Sequence, residues 1–141
     1  MSDNIRILVV DDEPNVLEAF KISLKMKLYE TDVFRDAAEA IKAVEKDKYT
    51  MAFVDLKLPR IDGLEVMKRL KKKDPKIEVI IVTAYATDHS HSNAIKLGAL
   101  EYLRKPFLME EIYELVDRAI KKRSSKKESN KKNSVQSLSE D

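Results

Sequence analysis

The chain has 141 residues, 43% of them apolar and 37% charged, with a formal net charge of +2 and no cysteine. That length supports one domain with a substantial core and excludes two. Without cysteine there can be no disulfide, thiolate metal site or cysteine nucleophile.

The charge is unevenly spread. From Lys121 to Asp141 there are seven Lys/Arg and three Asp/Glu, a local +4 that leaves about −2 for the 120 residues before it. Met1-Ser2-Asp3-Asn4 lacks the basic start and long apolar stretch of a secretory leader. The first apolar run, Ile5 to Val10, is far too short to span a bilayer. The expectation is a cytoplasmic protein without a membrane partner.

Ile5 to Val10 reads as a buried strand. Pro14 to Tyr29 follows as a helix, with Val16, Leu17, Phe20 and Leu24 at helical spacing and proline suited to the first turn. Thr31 to Arg35 is a weak second strand, and Asp36 is placed to cap a helix with apolar face Ala37, Ala40, Ile41 and Val44. Met51 to Val54 is the third strand. Gly63 to Asp74 is the third helix, with Asp62 as a turn or cap residue before it and Pro75 after it. Ile77 to Val82 is the most hydrophobic strand. The fourth helix spans about Asp88 to Leu97, with Gly98 where a left-handed cap is wanted. Glu101 to Arg104 is the fifth strand, and Met109 to about Arg123 the fifth helix. Residues 124–141 turn to Lys, Ser, Asn and Glu and are expected to form a disordered basic tail, either solubilising or linking, beside a folded unit of residues 1–123. The tail has no interleaved aromatics, so nucleic-acid binding is not supported for the domain.

Five strand–helix units with nearly continuous apolar strands predict an α/β fold: a five-stranded parallel sheet, doubly wound by helices on both faces. Right-handed crossovers favour the flavodoxin-like (βα)5 order 2-1-3-4-5.

Four polar signals each directly follow an apolar strand: Asp11 with Asp12, then Asp55, Thr83 and Lys105. In a parallel sheet all strand C-termini open on one edge, so these residues converge. Two carboxylates about 5 Å apart repel by roughly 3 kcal/mol at an effective dielectric near 20. A divalent cation relieves that repulsion, and oxygen-only ligands suit Mg²⁺, with Mn²⁺ as a substitute. A carboxylate can then act as nucleophile toward a phosphoryl group, with Lys105 and the Thr83 hydroxyl aimed at its oxygens.

From about Asn4 to Arg123 the chain resembles the response-regulator receiver domains of two-component systems. The resemblance rests on Val9-Val10-Asp11-Asp12-Glu13-Pro14, Val54-Asp55-Leu56-Lys57-Leu58-Pro59 with Asp62-Gly63, Thr83-Ala84 and Lys105-Pro106-Phe107. It implies Asp55 as phosphoacceptor and a metal held by Asp11, Asp12, Asp55 and the backbone carbonyl of Lys57. It also implies Lys105 on the acceptor or its phosphate, Thr83 and Tyr102 as switch residues, and a cis bond before Pro106. The donor would be a sensor histidine kinase or a histidine phosphotransfer protein. The response would run to the surface of the fourth helix, fifth strand and fifth helix, toward an output protein the sequence does not identify or toward a dimer. Thr83-Ala84-Tyr85 resembles receivers of the nitrogen-regulation type, and Lys57 and Tyr85 are expected to modulate phosphate lifetime. The reading is of a phosphoacceptor signalling domain rather than a turnover enzyme, with no output domain after Arg123.

Blander readings stand beside these. Asp12 alone reads as a cap for the helix at Pro14, and Lys105 alone as a solvated charge. Tyr102 alone reads as a half-buried strand aromatic. His89 and His91, two apart on a helix, point to different faces and make a poor chelate, so they read as surface histidines. A haloacid-dehalogenase-like phosphatase would carry Asp-x-Asp after its first strand. A flavodoxin-like binder would need a hydroxyl-rich loop where Asp11-Asp12-Glu13 stands. A pseudo-receiver scaffold would have no use for the intact acid, threonine and lysine set.

Overall fold

The computed structural model describes the backbone of residues 5–139 and the side chains of residues 5–124. Its elements run β1 (Arg6–Val10), α1 (Pro14–Met26), β2 (Glu30–Phe34), α2 (Ala37–Ala43), β3 (Met51–Asp55), α3 (Gly63–Lys73), β4 (Glu78–Thr83), α4 (Asp88–Lys96), β5 (Glu101–Arg104) and α5 (Met109–Ser139). The strands form one parallel sheet in the order β2-β1-β3-β4-β5, the expected flavodoxin-like arrangement.

Alternation along the strands makes two cores. Leu8, Val10, Ala52, Val54, Val79 and Ile81 point to one face, where they meet Ala40 of α2, Met67 of α3 and Ala94 of α4. Ile7, Val9, Met51, Phe53, Ile80 and Val82 point to the other, against Phe20 of α1 and Val116 of α5. A strand buried on both sides has no polar face to show, which is why these runs read as continuous. Phe20 ties the second layer together, its ring 4.8 Å from that of Phe53 and 5.0 Å from that of Phe107.

Several boundaries are set by chemistry that the sequence states openly. Asp36 caps α2 by accepting from the Glu39 N–H, and Asp62 caps α3 by accepting from the Leu64 N–H at 2.7 Å. Gly98 takes φ +114°, as its place after α4 requires. Others differ from expectation. Helix α1 stops at Met26, short of Tyr29, because Leu28 adopts φ 63° and the Leu28 and Tyr29 N–H groups bond back to Lys25 and Leu24. That is a left-handed C-terminal cap built on leucine, where sequence rules look for glycine. The N-cap of α1 is Glu13, without a side-chain cap bond, and not Asp12. Helix α5 continues to Ser139, past the end expected near Arg123. From Met109 to Ser139 there is neither glycine nor proline to interrupt it.

Arg123 is buried at the edge of the sheet opposite the strand C-termini. It donates to the carbonyls of Tyr49 and Lys76, each at 3.2 Å, and to the Asp47 carboxylate at 3.1 Å. The expected N-terminal character of Met1–Asn4 lies outside the described residues, as do the side chains of the expected tail from residue 125. Among the described residues no helix is long and apolar enough to cross a membrane.

Candidate functional site

Sheet pairing carries the polar residues to one edge. Asp11 follows β1 and its N–H bonds to the Phe34 carbonyl. Asp55 ends β3 opposite Val82 of β4. Thr83 pairs with Arg104, and the Lys105 N–H bonds to the Thr83 carbonyl at 2.8 Å. Parallel register therefore fixes four backbone positions before any side chain contributes.

Carboxylate oxygens of Asp11, Asp12 and Asp55 lie within 4.8 Å of one another. Asp11 is 1% exposed and Asp55 5%, while Asp12 is half-buried at the opening. Such a cluster is sustained only by countercharge. Lys105 provides it: its Nζ is 2.9 Å from Asp11 Oδ2, 3.3 Å from Glu13 Oε1 and 3.4 Å from Asp55 Oδ2. Asp11 Oδ1 accepts the Glu13 N–H at 2.9 Å, and Asp55 Oδ1 accepts the Lys57 N–H at 3.3 Å. Nothing in the sequence around Lys105 announces Glu13 as its partner. Its place inside the Asp11-Asp12-Glu13 run was the available signal.

Burial pushes the Asp55 carboxyl up to about 6, reinforced by the Asp11 charge and opposed by Lys105 and the Lys57 N–H. Burial draws Lys105 down, but Asp11, Asp55 and Glu13 outweigh it and hold the ammonium above its ordinary range. Three hard oxygen donors this close, two of them withdrawn from water, fit a hard divalent cation.

Gly63 is dictated by this site. A Cβ there would come within 2.3 Å of the Asp55 carbonyl oxygen and 2.7 Å of the Leu56 Cα. Helix α3 starts against the end of β3, and only a residue without a side chain allows that approach.

Thr83 is buried, and its Oγ1 accepts the Tyr85 N–H at 3.0 Å. Lys57 Nζ lies 4.3 Å from the centroid of the exposed Tyr85 ring, so the two side chains make a cation–π contact. Tyr102 sits half-buried on β5, its ring against the first core cluster. The Lys105–Pro106 bond is cis, as the resemblance implied. His89 is exposed, whereas His91 is not a free surface histidine: its Nε2 contacts Glu101. Neither belongs to the acidic cluster.

A groove of about 410 Å³ opens beside Lys105, lined by Glu13, Asn15, Val16, Ala19, Ala84, Pro106 and Phe107. It leads from the face of α1 to the charged cluster.

A model of the response regulator receiver domain matches residues 7–117. The regulatory protein AtoC of Escherichia coli is 31% identical over 123 residues, 87% of this chain and 27% of that protein. Response regulator MprA of Mycobacterium ulcerans is 33% identical over 109 residues, 77% of this chain and 47% of that protein. The chain thus spans about half or less of these relatives. A CheY-like response regulator receiver domain from Methanospirillum hungatei superposes with a TM-score of 0.81 at 27% identity, over 88% of this chain and 99% of that one.

Proposed function

This chain belongs to the response regulator receiver family, and from that premise we propose that it takes a phosphoryl group from a phosphohistidine of a sensor kinase or histidine phosphotransfer protein onto Asp55. The observation that carries the reading is the convergence of three carboxylates and one partly buried ammonium at the ends of β1, β3 and β5. A signalling module, and not a turnover enzyme, is what such a site serves. The nucleophile is consumed by its own product until water regenerates it.

An Asp55 carboxylate oxygen attacks phosphorus. The P–O bond forms as the P–N bond to the donor imidazole breaks, and the imidazole leaves with that electron pair and takes up a proton. Lys105 holds the Asp55 carboxylate in place and then faces the phosphoryl oxygens as a cation. The Asp55 carboxyl must be ionised to attack, and with its proton lost only near pH 6 it is competent at neutral pH. A bound Mg²⁺, or Mn²⁺ in its place, would be held by Asp11, Asp12, Asp55 and the Lys57 carbonyl, and supplies charge neutralisation. The groove beside Lys105 is where a donor's phosphohistidine would approach.

Once Asp55 is phosphorylated, Thr83 turns its hydroxyl to the new oxygens and Tyr102 packs behind it. The face of α4, β5 and α5 then carries the change to an output partner or a second copy. We take residues 1–123 as the receiver body, ending on the anchored Arg123, with 124–141 as a basic extension, and place the protein in the cytoplasm with its kinase.

Incubation with a phosphorylated histidine kinase and Mg²⁺ tests the reading. Radiolabel should pass to the chain in an alkali-labile form that maps to the peptide containing Asp55. Label on any other residue, or none from any histidine or acyl-phosphate donor, would overturn it.

The pairing of Lys57 with Tyr85 supports a role in phosphate lifetime. An exposed cation–π contact is worth about 0.5–1 kcal/mol, so a mouth held shut by it opens about two- to fivefold more often without it. Tyr85→Ala should shorten the half-life of the phosphorylated chain by that factor, and Lys57→Ala by no more. Unchanged decay in Tyr85→Ala would remove the cover from the account.

A further inference from the structure

Four side chains stitch together the face expected to respond. His91 stands on α4, Glu101 and Tyr102 on β5, and Arg118 on α5. His91 Nε2 lies 2.5 Å from Glu101 Oε1, and Arg118 Nη1 lies 3.6 Å from Glu101 Oε2. The Tyr102 N–H also donates to Glu101 Oε1, at 3.0 Å. Burial on its own would push the Glu101 carboxyl up, but the Tyr102 N–H, His91 and Arg118 outweigh it and hold it below the ordinary range. Glu101 is therefore a carboxylate that can only accept, and the proton in its contact with His91 sits on Nε2.

With that nitrogen committed, the imidazole lies against the Tyr102 ring, centroids 5.3 Å apart and planes at 53°. The tyrosine ring leans inward on the core beneath α4. Its hydroxyl oxygen is buried and has no hydrogen-bond partner among the described residues. A buried hydroxyl left unpaired is unfavourable, so the inward place needs support from the rest of the ring's surroundings. The imidazole aimed by Glu101 provides it.

We infer that His91 is a positioning residue for Tyr102: fixed by Glu101, its ring keeps the phenol in the inward place and thereby raises the chain's readiness to accept a phosphoryl group. The inference rests on the reading of Tyr102 as the aromatic switch. An inward ring is the arrangement phosphorylation selects, so whatever favours it beforehand tightens binding at Asp55, and the two are linked in both directions.

The test uses the full chain labelled with 3-fluorotyrosine, its Tyr102 resonance assigned with Tyr102→Phe, titrated with beryllofluoride and Mg²⁺ as a phosphoryl mimic. In the native chain the Tyr102 resonance should move on titration. In His91→Ala the beryllofluoride midpoint should rise about fivefold, the effect of losing one partly exposed ion pair and one ring contact. The Tyr102 fluorine should also become more sensitive to solvent. Glu101→Gln should raise the midpoint at least about twofold, and the double variant should go no further than His91→Ala, because both act through one contact. A merely structural contact would lower the melting temperature of His91→Ala and leave the midpoint unmoved. That result, with Tyr102 still responding, overturns the inference and leaves the switch reading standing. A Tyr102 resonance that ignores beryllofluoride in the native chain sinks the switch reading and the inference with it.

Discussion

Replacing Asp55 with asparagine is expected to abolish phosphotransfer and, in the same stroke, to make the metal-free chain more stable at neutral pH. The two outcomes have one cause. Burial and the charge of Asp11 raise the Asp55 carboxyl from 3.8 to about 6, so the folded state favours its neutral form. The stability this contributes is fully present below the unfolded value near 4 and is lost as pH rises through about 6. A shift of that size corresponds to roughly 3 kcal/mol of cost for keeping the group ionised at neutral pH. Asparagine removes the charge but also one ion pair of Lys105, which retains Asp11 and Glu13. The net gain should be about 1–2 kcal/mol in urea unfolding with EDTA present. The native chain should lose stability between pH 4 and 6 on the same assay, and the variant should show little of that slope. Adding millimolar Mg²⁺ should reverse the ranking, since a cation that binds the folded native site stabilises it by mass action. A variant less stable than native in EDTA would mean that the site is not under electrostatic load.

Much of this site was legible in the sequence because it depends on strand ends. Asp11, Asp55, Thr83 and Lys105 each close an apolar run, and parallel topology alone brings those ends together. The elements were legible for the same reason: β1, β3 and β4 are buried on both faces and carry no internal polar break except at their edges. The half-exposed β2 offers only Val33 and Phe34, and it begins at Glu30, one residue before the start its pattern predicts.

What the sequence withheld depends on contacts between surfaces. His91 reads as a solvated residue because nothing local announces Glu101, ten positions later on another element. Arg123 reads as one basic residue among many in its stretch, yet it is buried against two carbonyls and Asp47. Leu28 in a left-handed conformation ends α1 where no glycine marks a stop. Glu13 reads as one more acid after two metal-ligand candidates, yet its carboxylate shares Lys105 with Asp11 and Asp55. For His91, Arg123 and Glu13 the deciding interaction spans elements, and for Leu28 it is a local backbone turn that no glycine announces; single-residue propensity has access to neither.

The second large effect should come from Lys105, with the opposite sign. Its side chain is 11% exposed and is paired with Asp11, Glu13 and Asp55, so Lys105→Met leaves buried carboxylates without their cation while keeping most of the stem's packing. Removing one partner from a buried ion pair typically costs 3–5 kcal/mol. The open side of this cluster, at Asp12, admits water and brings the expected loss to about 2–4 kcal/mol in EDTA at neutral pH. The Asp55 carboxyl, no longer held down by the ammonium, should move further up, so the variant should regain stability as the solution is acidified toward pH 4. Mg²⁺ should bind the variant more tightly than the native chain, because the ammonium no longer competes for the same oxygens. Phosphotransfer should nonetheless slow by about a hundredfold, since a fixed cation facing the phosphoryl oxygens is worth that much in comparable sites. Stability, metal affinity and transfer rate therefore move in different directions, which global misfolding cannot imitate. Combining Lys105→Met with Asp55→Asn provides the internal control: the two charges belong to one cluster, so the double variant should be more stable than the sum of the single effects predicts. Strict additivity, or equal Mg²⁺ affinity in Lys105→Met and native chains, would show that Lys105 and the three acids do not form one electrostatic unit.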